Sequence, residues 1–554
     1  MEKRLLLAAA LSLAVLILWE WLGPKPPARP FNPAAPPVSK PAIAPGSKRL
    51  EPVESTGQQT LPSPVVADEE RLTTLENGVV RAVVSNRGAV LTSFVLLEHT
   101  DEQNQPLELV RALPAPALRP LALEFAGDAE TSKRVSQALF AVERVGDRGV
   151  RLRYADERVA VTKQLRLDAG YLFDLKVSVI GPAYVLAVGT GLRNPTEQER
   201  ASRYVMPASF LADTGGRLER LRAEKAEQIA EEARKAEREP GLIWPLAVNG
   251  FVGLEDNYFL AVLLARQPSR ARALPISVPG SSGKPRAEIA AGIAGDGEFE
   301  ALAYFGPKDV QILKSLNLGL ERTVDFGWYG VLAPPLLWLL RKAYAWVHNY
   351  GVAILLVTLL IRVLLFPLMH KSYVSMKKMQ KLAPRMNAIR DRYKKGRTDA
   401  AQRQKMNQEV MALYQAEGVN PMGGCFPMLL QLPILVAFYN VLSKAIELRH
   451  AHFVLWIRDL SAVDGSYVLL ILMIASMYVQ QAMTPTTVDP AQKKIFMAMP
   501  LFMGFLFKDM PSGLVLYWLF SNLLSIAQQA IINRIGSRDE PASQKPKRLN
   551  QARA

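Results

Sequence analysis

Val352-Ala353-Ile354-Leu355-Leu356-Val357-Thr358-Leu359-Leu360-Ile361-Arg362-Val363-Leu364-Leu365-Phe366-Pro367 is an apolar run of membrane character broken by one charge. At a helical rise of about 1.5 Å per residue, Arg362 lies about 12 Å from the end of the run near His370-Lys371. A guanidinium at that depth costs about 2.5–3.5 kcal/mol on the most forgiving insertion scale, so it faces a partner or water. None of the five apolar spans drawn below carries Asp or Glu. One reading is therefore a hydrated cavity lined from Thr358, Gln431, Asn440, Ser521, Asn522, Gln528 and Gln529. The other is snorkelling toward the inner headgroups, and residue depth alone leaves both open.

Working outward, the candidate spans are Ala343–Pro367, Cys425–Ala445, Tyr467–Met483, Ile495–Phe507 and Leu514–Ile532. Charge sets their direction. Residues 371–421 hold twelve Lys/Arg against four Asp/Glu, and the tail from Arg534 holds six against two. Both are expected on the cytoplasmic side. Phe326–Leu340 is also apolar, but Pro334-Pro335 breaks it, and counting it as a span would put the basic loop outside. It is expected to lie flat on the outer interface as an amphipathic helix. At the N-terminus, Leu5 to Leu22 is an apolar run of 18 residues, preceded by Lys3 and Arg4 and closed by Trp19 and Trp21. A cleaved signal peptide is the competing reading, yet no small-x-small site follows, so an uncleaved sixth span is expected.

The 554-residue average, 49% hydrophobic and 21% charged with a net charge of +16, is thus a mosaic of unlike parts. Twelve prolines between Pro24 and Asp68 make an extended tether. From about Glu69 to Leu320 no stretch reaches membrane length. Alternating runs such as Val79–Val84 and Arg151–Tyr154, separated by turn signals like Asn86-Arg87-Gly88, predict a large β-sandwich. Arg217–Glu239, with alanines at 223, 226, 230, 233 and 236, predicts a solvated helix ended by Pro240-Gly241. The expected divisions are 1–23 anchor, 24–68 tether, 69–322 β domain, 323–342 interfacial helix, 343–533 five-helix core and 534–554 basic tail.

Several function classes fall away. Cys425 is the only cysteine and the five histidines are scattered, which argues against disulfide scaffolds, zinc sites and iron–sulfur clusters. No metal and no cofactor is expected. Gly280-Ser281-Ser282-Gly283-Lys284 lacks P-loop spacing, and neither HExxH nor GxSxG occurs, so an enzyme or sugar-binding envelope protein is a weak alternative. Five unequal spans without an internal repeat or a coupling carboxylate argue against a secondary transporter.

Within the basic loop, Met376, Met379, Leu382, Met386, Ile389 and Tyr393 recur at three- and four-residue steps. After Gly396 a second stripe runs through Met406, Val410, Leu413 and Tyr414, so residues 371–421 predict a helical hairpin. Its charge, carried by Lys377, Lys378, Lys381, Arg385, Arg392, Lys394 and Lys395 among others, suits anionic lipid. It suits ribosomal RNA or acidic targeting proteins equally well.

The runs Asn420-Pro421-Met422-Gly423-Gly424-Cys425-Phe426-Pro427-Met428-Leu429-Leu430-Gln431-Leu432-Pro433-Ile434, Met483-Thr484-Pro485-Thr486-Thr487 and Phe507-Lys508-Asp509-Met510-Pro511-Ser512-Gly513-Leu514-Val515-Leu516-Tyr517-Trp518 closely resemble the YidC/Oxa/Alb membrane protein insertases. The match is specific over Trp328–Asn533; the anchor, tether and β domain are similar to the Gram-negative YidC form in layout. The resemblance implies a polytopic α-helical protein of six transmembrane helices, five forming the core, with a periplasmic β-supersandwich. It implies a groove open to cytoplasm and lipid, and insertion of nascent membrane proteins alone or beside the Sec translocon in the bacterial inner membrane. Arg362 matches the groove arginine, and the groove set is completed by Thr358, Gln431, Tyr517, Ser521, Asn522 and Gln528. The hairpin and tail would meet the ribosome and targeting factors. The helical insertion at 217–239 has no place in the family pattern.

Overall fold

The computed structural model describes residues 42–43, 62–114, 117–125, 127–195, 199, 206–235, 242–279, 285–327, 330–393, 400–418, 426–483 and 490–538. The expected anchor, most of the tether and all of the tail beyond Arg538 lie outside the described residues. The chain divides into two compact units, one of residues 31–325 and one that includes 326–554.

The first unit is built from three antiparallel sheets. In the nine-stranded sheet the spatial order is Leu218–Leu221, Ser209–Asp213, Phe251–Glu255, Phe259–Ala265, Glu298–Pro307, Leu172–Ile180, Ala160–Leu167, Gly149–Ala155 and Ala141–Arg144. A four-stranded sheet runs Leu72–Glu76, Val80–Ser85, Val90–Thr100 and Pro106–Glu108. The six-stranded sheet is centred on Ser269–Pro279, Pro285–Gly295 and Tyr184–Thr190. Strands such as Ala160–Leu167 alternate buried with partly exposed residues, as the sequence pattern requires of a sheet with one covered face. Tyr184–Thr190, Phe251–Glu255 and Phe259–Ala265 are buried at every position and read as continuous apolar runs covered on both faces. Phe94 packs on Phe305 and Phe173 with ring centroids 5.4 and 5.9 Å apart, pinning the four-stranded sheet to the nine-stranded one.

The helix expected across 217–239 is shorter than that. Gly215 and Gly216, at φ of +86° and +100°, turn the chain back so that Leu218–Leu221 pairs with Ser209–Asp213 as an edge strand. The helix occupies Ala223–Lys235, seats Ala223 and Ala226, and packs against Ser269–Pro279 and Pro285–Gly295. Ala223 and Ala226 are therefore a packing face, small enough to let the helix approach the sheet.

Other helices, in chain order, are α1 (Ala129–Gln137), α2 (the Ala223–Lys235 helix), α3 (Val310–Ser315), α4 (Ala333–Val347), α5 (Tyr350–Lys381), α6 (Ala383–Arg392), α7 (Ala400–Ala416), α8 (Phe426–Lys444), α9 (Val468–Met483), α10 (Pro490–Phe507) and α11 (Ser512–Arg538). The last eight belong to the second unit. Pro334 and Pro335 do not break an apolar helix; they start one, because the first turn needs no amide donors. In the region expected at 323–342 to be an interfacial helix, the helix accordingly runs Ala333–Val347. It ends on His348 in the left-handed conformation, φ +52°, and Asn349 then caps α5 by accepting from the Val352 amide at 3.0 Å. The span drawn as Ala343–Pro367 also differs at both ends, since its helix starts at Tyr350. Helix α5 passes through Pro367 without ending and joins the span to the first arm of the hairpin, stopping only at Leu382 ahead of Pro384. Its 32 residues measure about 48 Å, more than the roughly 30 Å hydrocarbon thickness of a bilayer.

One buried charge dominates the β unit. Lys163 is fully buried, and its ammonium donates to the carbonyls of Gly88, Ala89 and Leu121 at 3.2, 2.9 and 2.7 Å. All three acceptors sit in left-handed turns, φ +69°, +49° and +69°, so one side chain ties together backbone that strand pairing cannot satisfy. Burial pushes this ammonium down to about 7. Between that value and 10.5 the unfolded chain holds the proton that the folded chain releases, so stability should rise with pH across this window, by up to about 1.4 kcal/mol per unit. Urea unfolding of the isolated β unit from pH 7 to 10 should show that slope. Lys163→Met should abolish it and lower stability by at least about 1–3 kcal/mol through orphaned carbonyls; an unchanged slope in the variant would assign the pH dependence elsewhere.

Candidate functional site

Along α5 two faces separate. Ala353, Ile354, Val357, Thr358, Met369, Tyr373 and Met376 are buried, while Leu359, Leu360, Val363, Leu364 and Phe366 are exposed, Leu364 by 75%. Helix α10 exposes Met497, Leu501 and Phe505 in the same manner. Large apolar side chains displayed in such numbers fit lipid rather than water. Tyr350–Lys381 and Ser512–Ile532 are long and apolar enough to cross a membrane, and shorter apolar helices occupy Leu430–Lys444, Val468–Met483 and Phe496–Phe507.

Arg362 projects from the boundary of these faces, half-buried, toward α11. Helices α5 and α11 run side by side in the same direction. A Cβ placed on Gly513 would lie 3.5 Å from Ile354, and eight residues further along both helices Arg362 meets Ser521. The Ser521 hydroxyl accepts from Arg362 Nε at 3.2 Å and from Nη2, and again from Gln431 Nε2 at 3.3 Å. Gln431 of α8 also donates to the Tyr517 hydroxyl, whose ring stacks on Phe438 with centroids 4.1 Å apart. Among the described residues Arg362 has no carboxylate partner; the ionisable neighbours acting on it are Tyr517 and Tyr373. Tyr373, three turns further along α5, is buried close to Ser525 of α11.

The groove residues expected from sequence are thus divided. Arg362, Gln431, Tyr517 and Ser521 converge in one polar chamber. Thr358, although buried, closes a hydrogen bond onto its own helix at the Ile354 carbonyl, 2.6 Å away. Asn522, one residue and about 100° round the helix from Ser521, turns to α9 and donates to Ser476 at 3.1 Å. Gln529 likewise reaches the Met483 carbonyl. Gln528 is buried with its amide nitrogen unpaired, a state that costs about 1–3 kcal/mol. Phe438, Tyr373 and Ser525 escaped the sequence reading. Tyr517, Ser521, Ser525 and Gln528 recur at steps of four, four and three, a polar stripe that could have revealed Ser525.

In the hairpin, Leu382, Met386 and Tyr414 form a small core with Met379, Val410 and Leu413, so α6 and α7 pair along the two stripes the sequence shows. Not all its basic residues face outward unpaired. Arg385 binds Glu417 at 2.7 Å and Arg392 binds Glu409 at 3.2 Å across the hairpin, which makes them cross-braces. Lys378 and Lys381 are exposed and Lys377 is half-exposed. Lys394 and Lys395 lie outside the described residues.

A β-sandwich unit joined to an apolar helical unit that holds a neutral-lined arginine defines a class, and comparison with known proteins identifies it. The family model described as 60Kd inner membrane protein matches residues 342–539, and that of the YidC periplasmic domain matches residues 72–339. The membrane protein insertase YidC of Syntrophus aciditrophicus is 36% identical over 579 residues, 96% of this chain and 100% of that protein. Its counterpart from Geotalea daltonii is 34% identical over 96% of this chain and 99% of that one. A solved active YidC insertase with its first transmembrane domain resolved aligns at a TM-score of 0.36 with 18% identity, over 84% of this chain and 94% of that chain. The protein is an inner-membrane insertase with a periplasmic domain, and not an enzyme. The chain belongs to the YidC membrane protein insertase family.

A charge that desolvation opposes and no carboxylate repays is a burden on stability. Arg362→Met should therefore raise the unfolding temperature of the detergent-solubilised protein by a few degrees, the scale of about 1–3 kcal/mol, while impairing insertion. A lowered unfolding temperature would make the arginine a structural element instead.

Proposed function

We infer that the chamber of Arg362, Gln431, Tyr517 and Ser521 receives the polar flank of a nascent membrane protein on its way across the bilayer. The observation that carries this reading is a guanidinium within an apolar helix whose acceptor, among the described residues, is the neutral Ser521 hydroxyl, backed by Gln431 and Tyr517 rather than by a carboxylate. Crossing hydrocarbon is prohibitive for an unpaired backbone or a charge, so a polar chamber partway through shortens the dry path without any fuel. The cation attracts acidic flanks, and the uncharged lining leaves its field unspent. The client's apolar helix then leaves along the lipid-facing side of α5 and α10, driven by burial worth about 0.8 kcal/mol per methylene.

In this reading α5, α8, α9, α10 and α11 are the five core spans, α4 lies on the outer interface, and the N-terminal run 5–22 is the sixth. Both termini and the hairpin are cytoplasmic. Unpaired lysines such as Lys377 and Lys378 are then free for ribosomal RNA, targeting factors or anionic lipid, and the insertase works alone or beside the Sec translocon. Of the remaining groove set, Asn522 holds α11 to α9 and Thr358 turns back on its own helix, so both take a secondary part, while Gln528 keeps a buried amide donor to offer.

Two experiments bear on this. Reporter fusions at Gly283 and Gly465 should read periplasmic and those at Gly396 and Ser537 cytoplasmic; a periplasmic reading at Gly396 would overturn the topology. For insertion, Arg362→Lys should retain more activity than Arg362→Ala, with the widest gap for clients bearing acidic periplasmic flanks. Equal rates for acidic and neutral clients in Arg362→Ala would remove the electrostatic role.

A further inference from the structure

The loop that joins α8 to α9 is built in two layers. Leu448, Ile457 and Leu460 are buried in its base, and Phe453 turns inward so close to α5 that a Cβ at Gly351 would lie 2.0 Å from its ring. The base is bonded to the first turns of the two helices that carry Arg362 and Ser521. Asn349, the cap of α5, donates its side-chain amide to the Phe453 carbonyl at 2.9 Å. The Ser512 and Gly513 amides that open α11 donate to the Ala462 and Leu460 carbonyls at 2.7 and 2.9 Å. The loop and the N-terminal ends of α5 and α11 are therefore one fastened piece.

Above that base the chain makes a tight turn, in which the Phe453 amide donates to the Ile457 carbonyl at 3.0 Å and the Ile457 amide to the Val454 carbonyl at 3.1 Å. Its tip presents Val454, Leu455 and Trp456 outward, with Leu455 79% exposed. Leu455 also stands at φ +55°, a conformation that glycine or asparagine would adopt at less cost. A tip facing water gains nothing from leucine there, so the side chain calls for an apolar medium outside the protein.

Distances along α5 say which medium. Arg362 lies about 18 Å beyond Tyr350 and about 12 Å short of His370, and together these lengths match the roughly 30 Å hydrocarbon thickness of a bilayer. The start of α5, and with it the Phe453–Ile457 turn, falls where acyl chains give way to headgroups. Trp346, three residues before Asn349, is 86% exposed, and Tyr467 is exposed just ahead of α9, aromatic rings of the kind that gather at this level. Arg458 is exposed beside the tip, a cation set for a phosphate headgroup.

We propose that Val454, Leu455 and Trp456 insert among the acyl chains of the outer leaflet, with Arg458 on the headgroup of an anionic phospholipid such as phosphatidylglycerol. Through its bonds to α5 and α11 this anchor fixes the depth of Arg362 while clients pass. Only the choice of leaflet rests on the topology inferred above; the insertion itself does not.

The test places an environment-sensitive fluorophore on Leu455→Cys in the full-length protein, in a Cys425→Ser background, reconstituted into phosphatidylcholine vesicles containing phosphatidylglycerol. Spin labels on the acyl chains should quench it strongly and iodide on both sides of the membrane weakly, with the reverse order at Val248→Cys, an exposed position of the β unit. Spin-labelled phosphatidylglycerol should quench at about one-fifth the concentration of spin-labelled phosphatidylcholine, the preference that one basic side chain gives near an anionic surface, and Arg458→Gln should erase the difference. A fluorophore at the lipid-facing position 364 should change its relative quenching by shallow and deep spin labels when Val454→Ser, Leu455→Ser and Trp456→Ser are combined. Iodide quenching at position 455 as strong as at 248 would place the tip in water, and quenching by neither agent would place it against protein; either result overturns the anchor. An unchanged depth at position 364 would overturn its part in placing Arg362. None of these measurements needs a client, and the reporter fusions judge the leaflet separately, so anchor and topology can fail independently.

Discussion

Everything in the helical unit is arranged around one guanidinium that hydrocarbon would reject. A soluble protein would meet such a charge with a carboxylate; here the described partners are a serine hydroxyl and, through it, a glutamine and a tyrosine. The difference matters for function. An ion pair would cancel the field, whereas neutral dipoles let a cation persist at depth and remain attractive to a passing anion. Side-by-side α5 and α11 supply two walls, α8 supplies the third, and the Phe438–Tyr517 stack ties α8 to α11 beside the chamber.

The β unit solves a different problem with the same rules. It has no disulfide to lean on, so its stability rests on three sheets and on partnered buried charges. Lys163 gathers three turn carbonyls, and Arg193 is held by Asp256 at 2.5 Å and by Glu199 at 2.7 Å. Where the chain leaves the unit, Lys308 binds Glu255, Arg220 binds both Glu255 and the Thr323 carbonyl, and Arg322 binds Asp213. These contacts fasten the 3₁₀ turn Leu320–Thr323 to the edge of the nine-stranded sheet.

Period and charge made much of this legible. Alternation announced the strands, and the two apolar stripes announced the hairpin, because both patterns follow from backbone geometry alone. Helix ends were harder. The Pro334-Pro335 pair reads as a break in the sequence although prolines fit a first turn, and the span drawn to Pro367 stops short of a helix that runs on to Lys381. The groove was half legible: polarity marked Ser521 and Asn522 together, but a single residue step sends them to different neighbours, which only the packing of α9 reveals. Lys163 was there to be seen, since alternation puts it on the same face as Val161 and Leu165, and an inward lysine in a strand demands acceptors.

The central claim is that clients pass Arg362 with their polar flank in the chamber and their apolar helix in lipid. A photoreactive side chain placed at Ser521, and separately at the lipid-facing Leu364, during synthesis of a single-span client tests it directly. The account predicts that the Ser521 probe crosslinks to the client's translocating flank and the Leu364 probe to its apolar segment, both transiently. Absence of client crosslinks from Ser521, with efficient insertion and crosslinks from Leu364 alone, would contradict it.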